Sequence, residues 1–261
     1  MRTAKIQGDL WSTAATDWAE LQEKYHIPLF NAMLDATNVG ENTTLLDVGC
    51  GGGTSSQLAS KRGAIVTGLD AADGLIEIAK TRTPSAEFHT GDMESLSFED
   101  NTFDVVFAAN SLQYAGDRVN ALREFMRVCH PEGLIAVGLF GQAEDVDYKI
   151  VFRAVANALP EPPAGKGPFG LSDRDLLHNL FAEAGLSIAH HDEVNCPMHF
   201  PDVNTFWRAT RSGGPVTSII RQIGEEKVKQ SVLNAVNLLQ NDSDEVIIKK
   251  NHYQYLIAKN S

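Results

Sequence analysis

Residues 45–59 read LLDVGCGGGTSSQLA: a short apolar strand runs into glycines at 49, 51, 52 and 53, then into a helix that Thr54 or Ser55 can cap. A strand-to-helix turn without Cβ atoms lets a ligand approach the backbone, and unpaired N–H groups at the helix start attract a carboxylate or phosphate. The segment therefore predicts a small-molecule cradle at the first crossover of an α/β fold, for a ligand with an anionic group. Read as a dinucleotide fingerprint, GxGxxG requires glycine at 49, 51 and 54, but position 54 is threonine and the spacing is GxGxG.

Outward from this turn the same rhythm continues. Helical SSQLASKR is followed by strand-like AIVTGLD, helical GLIEIAKT, and further strands at AEFHT, FDVVFAAN and GLIAVGLF. Between the last two, Val119, Leu122, Phe125, Met126 and Cys129 recur at helical spacing after Asp117, a cap. Alternating strands and helices predict a parallel, doubly wound sheet filled by residues 43 to 140. Upstream, 12 to 37 read as two helices, the first starting at a Ser12 cap and the second with Pro28 in its first turn. Beyond Phe140 the alternation breaks. A helix is expected over 145 to 158, then the Pro- and Gly-rich LPEPPAGKGPFG as the lip of a lid, then a helix over 172 to 184 capped by Ser172 and ended by Gly185. LSIAHHDEVNCPMHF suggests a sixth strand. Helical patterns cover 201 to 240, with Val228, Val232, Ala235, Val236 and Leu239 on one face, and EVIIKKNHYQYLIAK forms a long β-prone edge. The expected organisation is one domain over 1–261: a helical cap at 1–40, a ligand-binding core at 41–140, lid helices with the sixth strand at 141–240, and a terminal strand at 241–261.

Composition excludes several classes. The 261 residues are 43% apolar and 21% charged, with no repeat or low-complexity tract, as in ordinary globular proteins. Twenty-two Lys plus Arg against 34 Asp plus Glu give a formal charge of −12, which opposes nucleic acid or an anionic membrane as partner. Three cysteines without CxxC spacing fit neither a disulfide framework nor a zinc cluster, and point to a reducing cytoplasm. No apolar run has the length of a signal peptide core or a membrane span. No histidine–carboxylate cluster has metal-ligand spacing, so no metal is expected.

Asp70 ends the second strand 21 residues after Gly49, where a carboxylate can accept hydrogen bonds from both hydroxyls of a ribose. HTGDMESLSFEDNTFDVV, after the third strand, places Asp92 and Met93 where an adenine edge sits in such a sheet. LLDVGCGGG, the acid in GLDAAD, the GDMESLSFEDNTFDVV block and HPEGLIAVGLF, in that order, resemble the class I S-adenosylmethionine-dependent methyltransferases of the small-molecule branch over about residues 40 to 140. The resemblance implies a Rossmann-like, seven-stranded, mostly parallel sheet whose last, antiparallel strand comes from the terminal segment. It implies that Asp47, Gly49 and Gly51, with Cys50 between the glycines, line the methionine end of S-adenosylmethionine. Asp70, with Ala71 beside it, is implied to hold the ribose, and Asp92 and Met93 to flank adenine. Asn110, Ser111 and Leu112 are implied to border the sulfonium and the acceptor. The chain reads Asn110-Ser111-Leu112-Gln113 where amide-methylating members often carry Asn/Asp-Pro-Pro-Tyr/Phe, which favours a small acceptor.

Trp11 and Trp18, seven residues apart, share a helix face from which their rings can cover a sulfonium cation. Tyr114 can face the acceptor. An oxygen acceptor often needs a base, for which His178, His190, His191 and above all His199, beside Phe200 at a strand end, are the candidates; His190 and His191 must point to opposite faces. Cys50 is read as a small residue between glycines, since methyl transfer requires no covalent enzyme intermediate. The expected chemistry is in-line methyl transfer to a small organic acceptor, with alignment supplied by the protein. A nicotinamide-dependent oxidoreductase and a non-catalytic S-adenosylmethionine-binding protein are the alternatives. The sequence gives no oligomeric state.

Overall fold

In the computed structural model, residues 3–161, 167–236 and 244–260 are described. The chain opens with α1 (Ala4–Ser12), the single turn α2 (Ala15–Asp17), a wide turn over Trp18–Gln22, a tight one over Glu23–His26, and α3 (Ile27–Ala36) with Pro28 in its first turn. The helix expected to start at Ser12 instead ends there. Gly8, which lowers helix propensity in sequence, is what permits α1 to lie on the core: a Cβ at this position would fall 2.1 Å from the Ala71 carbonyl oxygen.

The alternating region follows the sequence reading: β1 (Thr44–Val48), α4 (Thr54–Lys61), β2 (Ile65–Asp70), α5 (Asp73–Arg82), β3 (Glu87–Thr90), β4 (Phe103–Ala109), α6 (Arg118–Val128) and β5 (Cys129–Phe140). Asp117 caps α6 by accepting from the Asn120 N–H at 2.9 Å. The remainder comprises α7 (Lys149–Asn157), α8 (Arg174–Ala184), β6 (Leu186–Asn195), β7 (Met198–Phe200), α9 (Val203–Arg211), α10 (Gly214–Ile223), α11 (Glu225–Val236), β8 (Val246–Ile248) and β9 (His252–Asn260). Leu239 and part of the expected lip lie outside the described residues.

Seven strands form one sheet in the order β3-β2-β1-β4-β5-β9-β6. The pairs from β3 to β5 are parallel, and β9 runs antiparallel to both β5 and β6. The central strands are near-continuous apolar runs because helices cover both faces, with Phe107 packed on one side and Val106 on the other, both fully buried. Three local expectations change. The terminal segment is no edge: its second half, β9, sits between β5 and β6 with Tyr253 and Leu256 fully buried, while its first half is β8. The expected sixth strand divides at Cys196, whose N–H bonds to the Asn251 carbonyl, so that β6 joins the sheet and β7 pairs with β8 in a separate two-stranded ribbon. The cap of α8 is Asp173, which accepts from the Leu176 N–H at 3.0 Å, because the Ser172 hydroxyl donates instead to the Phe169 carbonyl at 2.9 Å.

Candidate active site

Strand order reverses direction at β1, which has β2 on one side and β4 on the other, and there the carboxyl ends of adjacent strands leave a crevice. A pocket of about 850 Å³, counted with its open mouth, fills it. The tips of β1, β2 and β4 and residues 91–94 form its floor, and α1 its roof. The roof is fastened at several points. Thr3 Oγ1 donates to the Tyr114 carbonyl at 2.8 Å, the Gly74 N–H donates to Ser12 Oγ at 3.2 Å, and Arg221 of α10 pairs with Asp9 and donates to Thr13 Oγ1.

The glycine turn has a conformation that side chains resist. Gly49 has φ +74°, and a Cβ there would lie 2.3 Å from Ser111 Cβ, which is fixed because Ser111 Oγ donates to the Val48 carbonyl at 2.8 Å. The next amides are already engaged. Gly51 N–H donates to Asp70 Oδ2 at 2.9 Å, and Ala72 N–H to Asp70 Oδ1 at 2.8 Å, so each oxygen of that carboxylate keeps a lone pair. Gly52 N–H donates to Glu23 Oε1 at 2.8 Å, while Glu23 Oε2 accepts from Thr54 Oγ1 at 2.7 Å and from Arg82 at 2.5 Å. The anion expected at the helix start is thus in part supplied by the protein. Burial pushes the Glu23 carboxyl up, against the Thr54, Arg82 and Gly52 donors, and burial likewise raises Asp70 against its three backbone donors.

A second chamber of about 420 Å³ adjoins the first and shares Trp11, Trp18, His26, Asn110 and Tyr114 with it. Its other walls come from the ends of β5 and β9 and from α7, α9 and α10 with the residues beside them: Phe140, Tyr148, Phe152, Thr210, Val216 and Tyr253, among others. The rings interlock, with Trp11 and Trp18 edge-on at 4.6 Å, Trp11 and Tyr114 at 5.5 Å, and Phe140 stacked on Tyr253 at 4.5 Å. Asn110 stands between the chambers in the left-handed region, φ +55°, where asparagine is tolerated better than other side chains. Its Oδ1 accepts from Gln113 Nε2 at 2.6 Å.

Most of the residues singled out in the sequence meet at this place. Gly49, Cys50, Gly51, Asp70 and Ala71 line the first pocket along one wall, Asp92 and Met93 along another, and Asn110 and Ser111 a third. Trp11 and Trp18 line it too, although they belong to different turns rather than one helix face. Asp47 does not: it is buried beneath the turn, where Oδ2 accepts from the hydroxyls of Ser55 and Ser56 at 2.6 Å each, and desolvation raises its pKa to about 6. Leu112 is fully buried in the core behind the strand tip. The Cys50 thiol is buried and its pKa is raised by desolvation, consistent with a packing residue. Tyr114 borders both chambers, and burial pushes its phenol up to about 12, which makes it a donor and no base at neutral pH.

The histidine expectation fails on geometry. His199 is exposed on β7 and pairs with Glu245 at 3.0 Å, outside both chambers. His191 binds His178 at 2.8 Å and Gln254 at 3.0 Å, and His190 faces Asp192, also away from the site. The histidine that lines both chambers is His26, 2% exposed, whose place in the tight turn before α3 gave no sequence signal. Glu23 and Glu94 were missed for the same reason. Glu94 lines the pocket and accepts from the Gly116 N–H at 2.6 Å. Among the described residues no group of three or more His, Cys, Asp or Glu could hold a metal ion, and no helix is long and apolar enough to cross a membrane.

Residues 46–137 match a family described as a methyltransferase domain. Demethylmenaquinone methyltransferase of Renibacterium salmoninarum is 29% identical over 176 residues, covering 62% of this chain and 74% of that protein. The chain belongs to the class I S-adenosylmethionine-dependent methyltransferases. Synechocystis 2-methyl-6-phytyl-1,4-hydroquinone methyltransferase is 37% identical over 107 residues, 40% of this chain and 34% of the relative. Other curated relatives are matched over about half their length, 51%. The [4+2]-cyclase SpnF, with a TM-score of 0.57 at 20% identity over 89% of this chain and 79% of that one, shares the fold. The nicotinamide and non-catalytic alternatives are not favoured.

The pocket of this methyltransferase suits its cofactor. Glu23, Asp70, Asp92 and Glu94 line it with no lysine or arginine among the described lining residues, which fits a ligand bearing a sulfonium, an ammonium, an amine and two ribose hydroxyls. When bound, S-adenosylmethionine supplies an electrophilic methyl group at the sulfonium.

Proposed function

We propose that this methyltransferase acts on a small, uncharged, ring-bearing acceptor held in the second chamber. Asp70 accepts from the ribose, Ala71 packs beside it, and Asp92 and Met93 border the adenine. Gly49, Cys50 and Gly51 bring the methionine portion against the backbone. Trp11, Trp18, Asn110, Ser111 and Tyr114 surround the junction through which the methyl group passes.

One observation carries this reading: the chamber that shares the junction residues has aromatic walls and no Asp, Glu, Lys or Arg among its described lining residues. A charged acceptor would lose its hydration there without compensation, whereas an aromatic one gains apolar contact. Quinone-type rings, as in the names of the relatives above, have this character. The protein's contribution is alignment: holding the nucleophile about 3–3.5 Å from the methyl, in line, and away from water. The formal charge of −12 supports a small molecule over a nucleic acid, and the three buried, unpaired cysteines suit a reducing cytoplasm.

The test is a panel of neutral phenols and hydroquinones beside amines, carboxylates, a peptide and RNA, with S-adenosylhomocysteine formation as readout. Neutral aromatics are expected to exceed charged acceptors in kcat/KM by at least about tenfold, since each desolvated charge costs more than one 1.4 kcal/mol step. A preferred amine or RNA substrate would contradict the proposal.

A further inference from the structure

Three polar groups in the acceptor chamber are arranged for a hydroxyl. His26 Nδ1 lies 3.3 Å from the Glu23 carbonyl oxygen, which can only accept, so the ring proton belongs on Nδ1 and Nε2 carries the lone pair. Tyr253 Oη is 3.0 Å from that Nε2 and donates to it, with Asn110 Nδ2 at 3.5 Å from the same nitrogen; the phenolic oxygen, which also meets the Asn251 side chain, keeps one lone pair to accept a further hydrogen bond. Gln22 lines the same chamber, is 5% exposed, and its Oε1 meets no donor among the described residues. A buried acceptor without a partner is costly unless a ligand supplies the donor.

We infer that the acceptor is a phenol or enol whose hydroxyl proton passes by way of the Tyr253 hydroxyl to Nε2 of His26, while a second donor on the same molecule binds Oε1 of Gln22. This rests on the acceptor reading given under Proposed function. As the acceptor oxygen forms its bond to the methyl carbon, the carbon–sulfur bond breaks and its electron pair stays on sulfur. The acceptor proton moves to Tyr253 Oη, and the proton of Tyr253 moves to His26. The positive charge given up at sulfur reappears on the imidazole, so the charge of the closed site does not change, and the imidazolium later releases its proton to solvent. Burial holds His26 down at about 4, which keeps it neutral at pH 7. The aromatic walls of the chamber suit a phenol or enol rather than an alkanol. The aromatic contact of His26 with Tyr253, edge-on at 5.3 Å, and with Trp18 at 5.9 Å fixes the ring in this orientation. Tyr253 is the catalytic residue in contact with the acceptor, and His26 acts through it.

The experiment compares wild type, Tyr253→Phe, His26→Asn and the double variant on phenols of graded acidity. With a weakly acidic phenol each single substitution is expected to lower kcat about 100-fold, and the double variant to be no worse than the singles. With a nitrophenol kept neutral at the assay pH, whose proton leaves far more readily, the loss should shrink to about tenfold or less. Calorimetric affinity for S-adenosylhomocysteine should stay within about twofold in Tyr253→Phe, whose residue lines the acceptor chamber and not the cofactor pocket, which also certifies the fold; the circular dichroism spectrum certifies it for the His26 variants. Binding of the phenol to that complex, followed by tryptophan fluorescence, should weaken by no more than about tenfold in Tyr253→Phe, the loss of one hydrogen bond, and so by much less than kcat. Gln22→Leu should raise KM about tenfold for acceptors with a second donor and leave those without one unchanged. Losses independent of phenol acidity, or losses that multiply in the double variant, overturn the relay. Wild-type methylation of carbon or nitrogen acceptors but of no hydroxyl overturns this inference while the acceptor reading stands; preference for a charged acceptor overturns both.

Discussion

Glu23→Ala is expected to lower the free energy of unfolding by about 3–5 kcal/mol, the range for removing one partner of a buried ion pair. The carboxylate is 3% exposed and unites four elements that are distant in sequence: the turn before α3, the glycine turn, the start of α4 and the end of α5. Its loss leaves the Gly52 N–H without its acceptor, and leaves Arg82, whose side chain is 22% exposed, with only Thr54 Oγ1 and the Ala19 carbonyl. Urea unfolding checks this. Arg82→Ala alone should cost less, because Arg82 is the more solvated partner, and the double variant should cost clearly less than the two singles added together. A midpoint shift equivalent to under about 1 kcal/mol for Glu23→Ala would mean that the pair is no more than a surface contact.

Gly49→Ala is the second large effect. The left-handed backbone costs an alanine about 1–2 kcal/mol, and the methyl group placed 2.3 Å from Ser111 Cβ adds about 1–3 kcal/mol of overpacking. Because the turn must move to relieve the contact, affinity for S-adenosylhomocysteine should fall by more than about tenfold along with stability. Adding Ser111→Gly removes the steric part and leaves the backbone part, so the double variant should recover roughly half of the lost stability. Full recovery would mean that the positive φ costs nothing here, and no recovery that the Ser111 contact is not what excludes a side chain.

The parts of the fold that were legible in sequence are those where local pattern and tertiary role coincide. From Thr43 to Phe140 the central strands β1 and β4 and the second half of β5 are largely buried and read as mainly apolar runs, and the Asp117 cap and the Gly185 terminus, φ +91°, use local chemistry alone. The N-terminal region was misread because its shape depends on what it covers: Gly8 breaks a helical pattern yet is required for contact with Ala71, and the wide and tight turns after Trp18 have no periodicity to detect. The place of β9 inside the sheet depends on partners more than 100 residues away in β5, which no local signal records.

The site divides along the same line. Gly49, Asp70, Asp92 and Asn110 stand at strand tips, where position in the alternation gives position in space. Glu23, His26 and Glu94 come from turns, and nothing in their neighbours distinguishes them from surface acids or a structural histidine. His199 was attractive in sequence because it ends a strand beside Phe200, but that strand belongs to the small ribbon, not the main sheet. Asp47 lies on the expected strand, but the hydroxyls of Ser55 and Ser56 hold it beneath the turn.

Titration calorimetry with S-adenosylhomocysteine on wild type and Asp70→Ala tests the central claim, that carboxylates at the strand tips grip the adenosyl amino acid, most directly. Wild type should bind at one saturable site, and the variant, with an unchanged circular dichroism spectrum, about 10- to 150-fold more weakly, the loss of about 1.5–3 kcal/mol for a hydrogen bond to a charged group. An isotherm for the variant that superimposes on that of wild type, or no heat with either protein, would contradict the account.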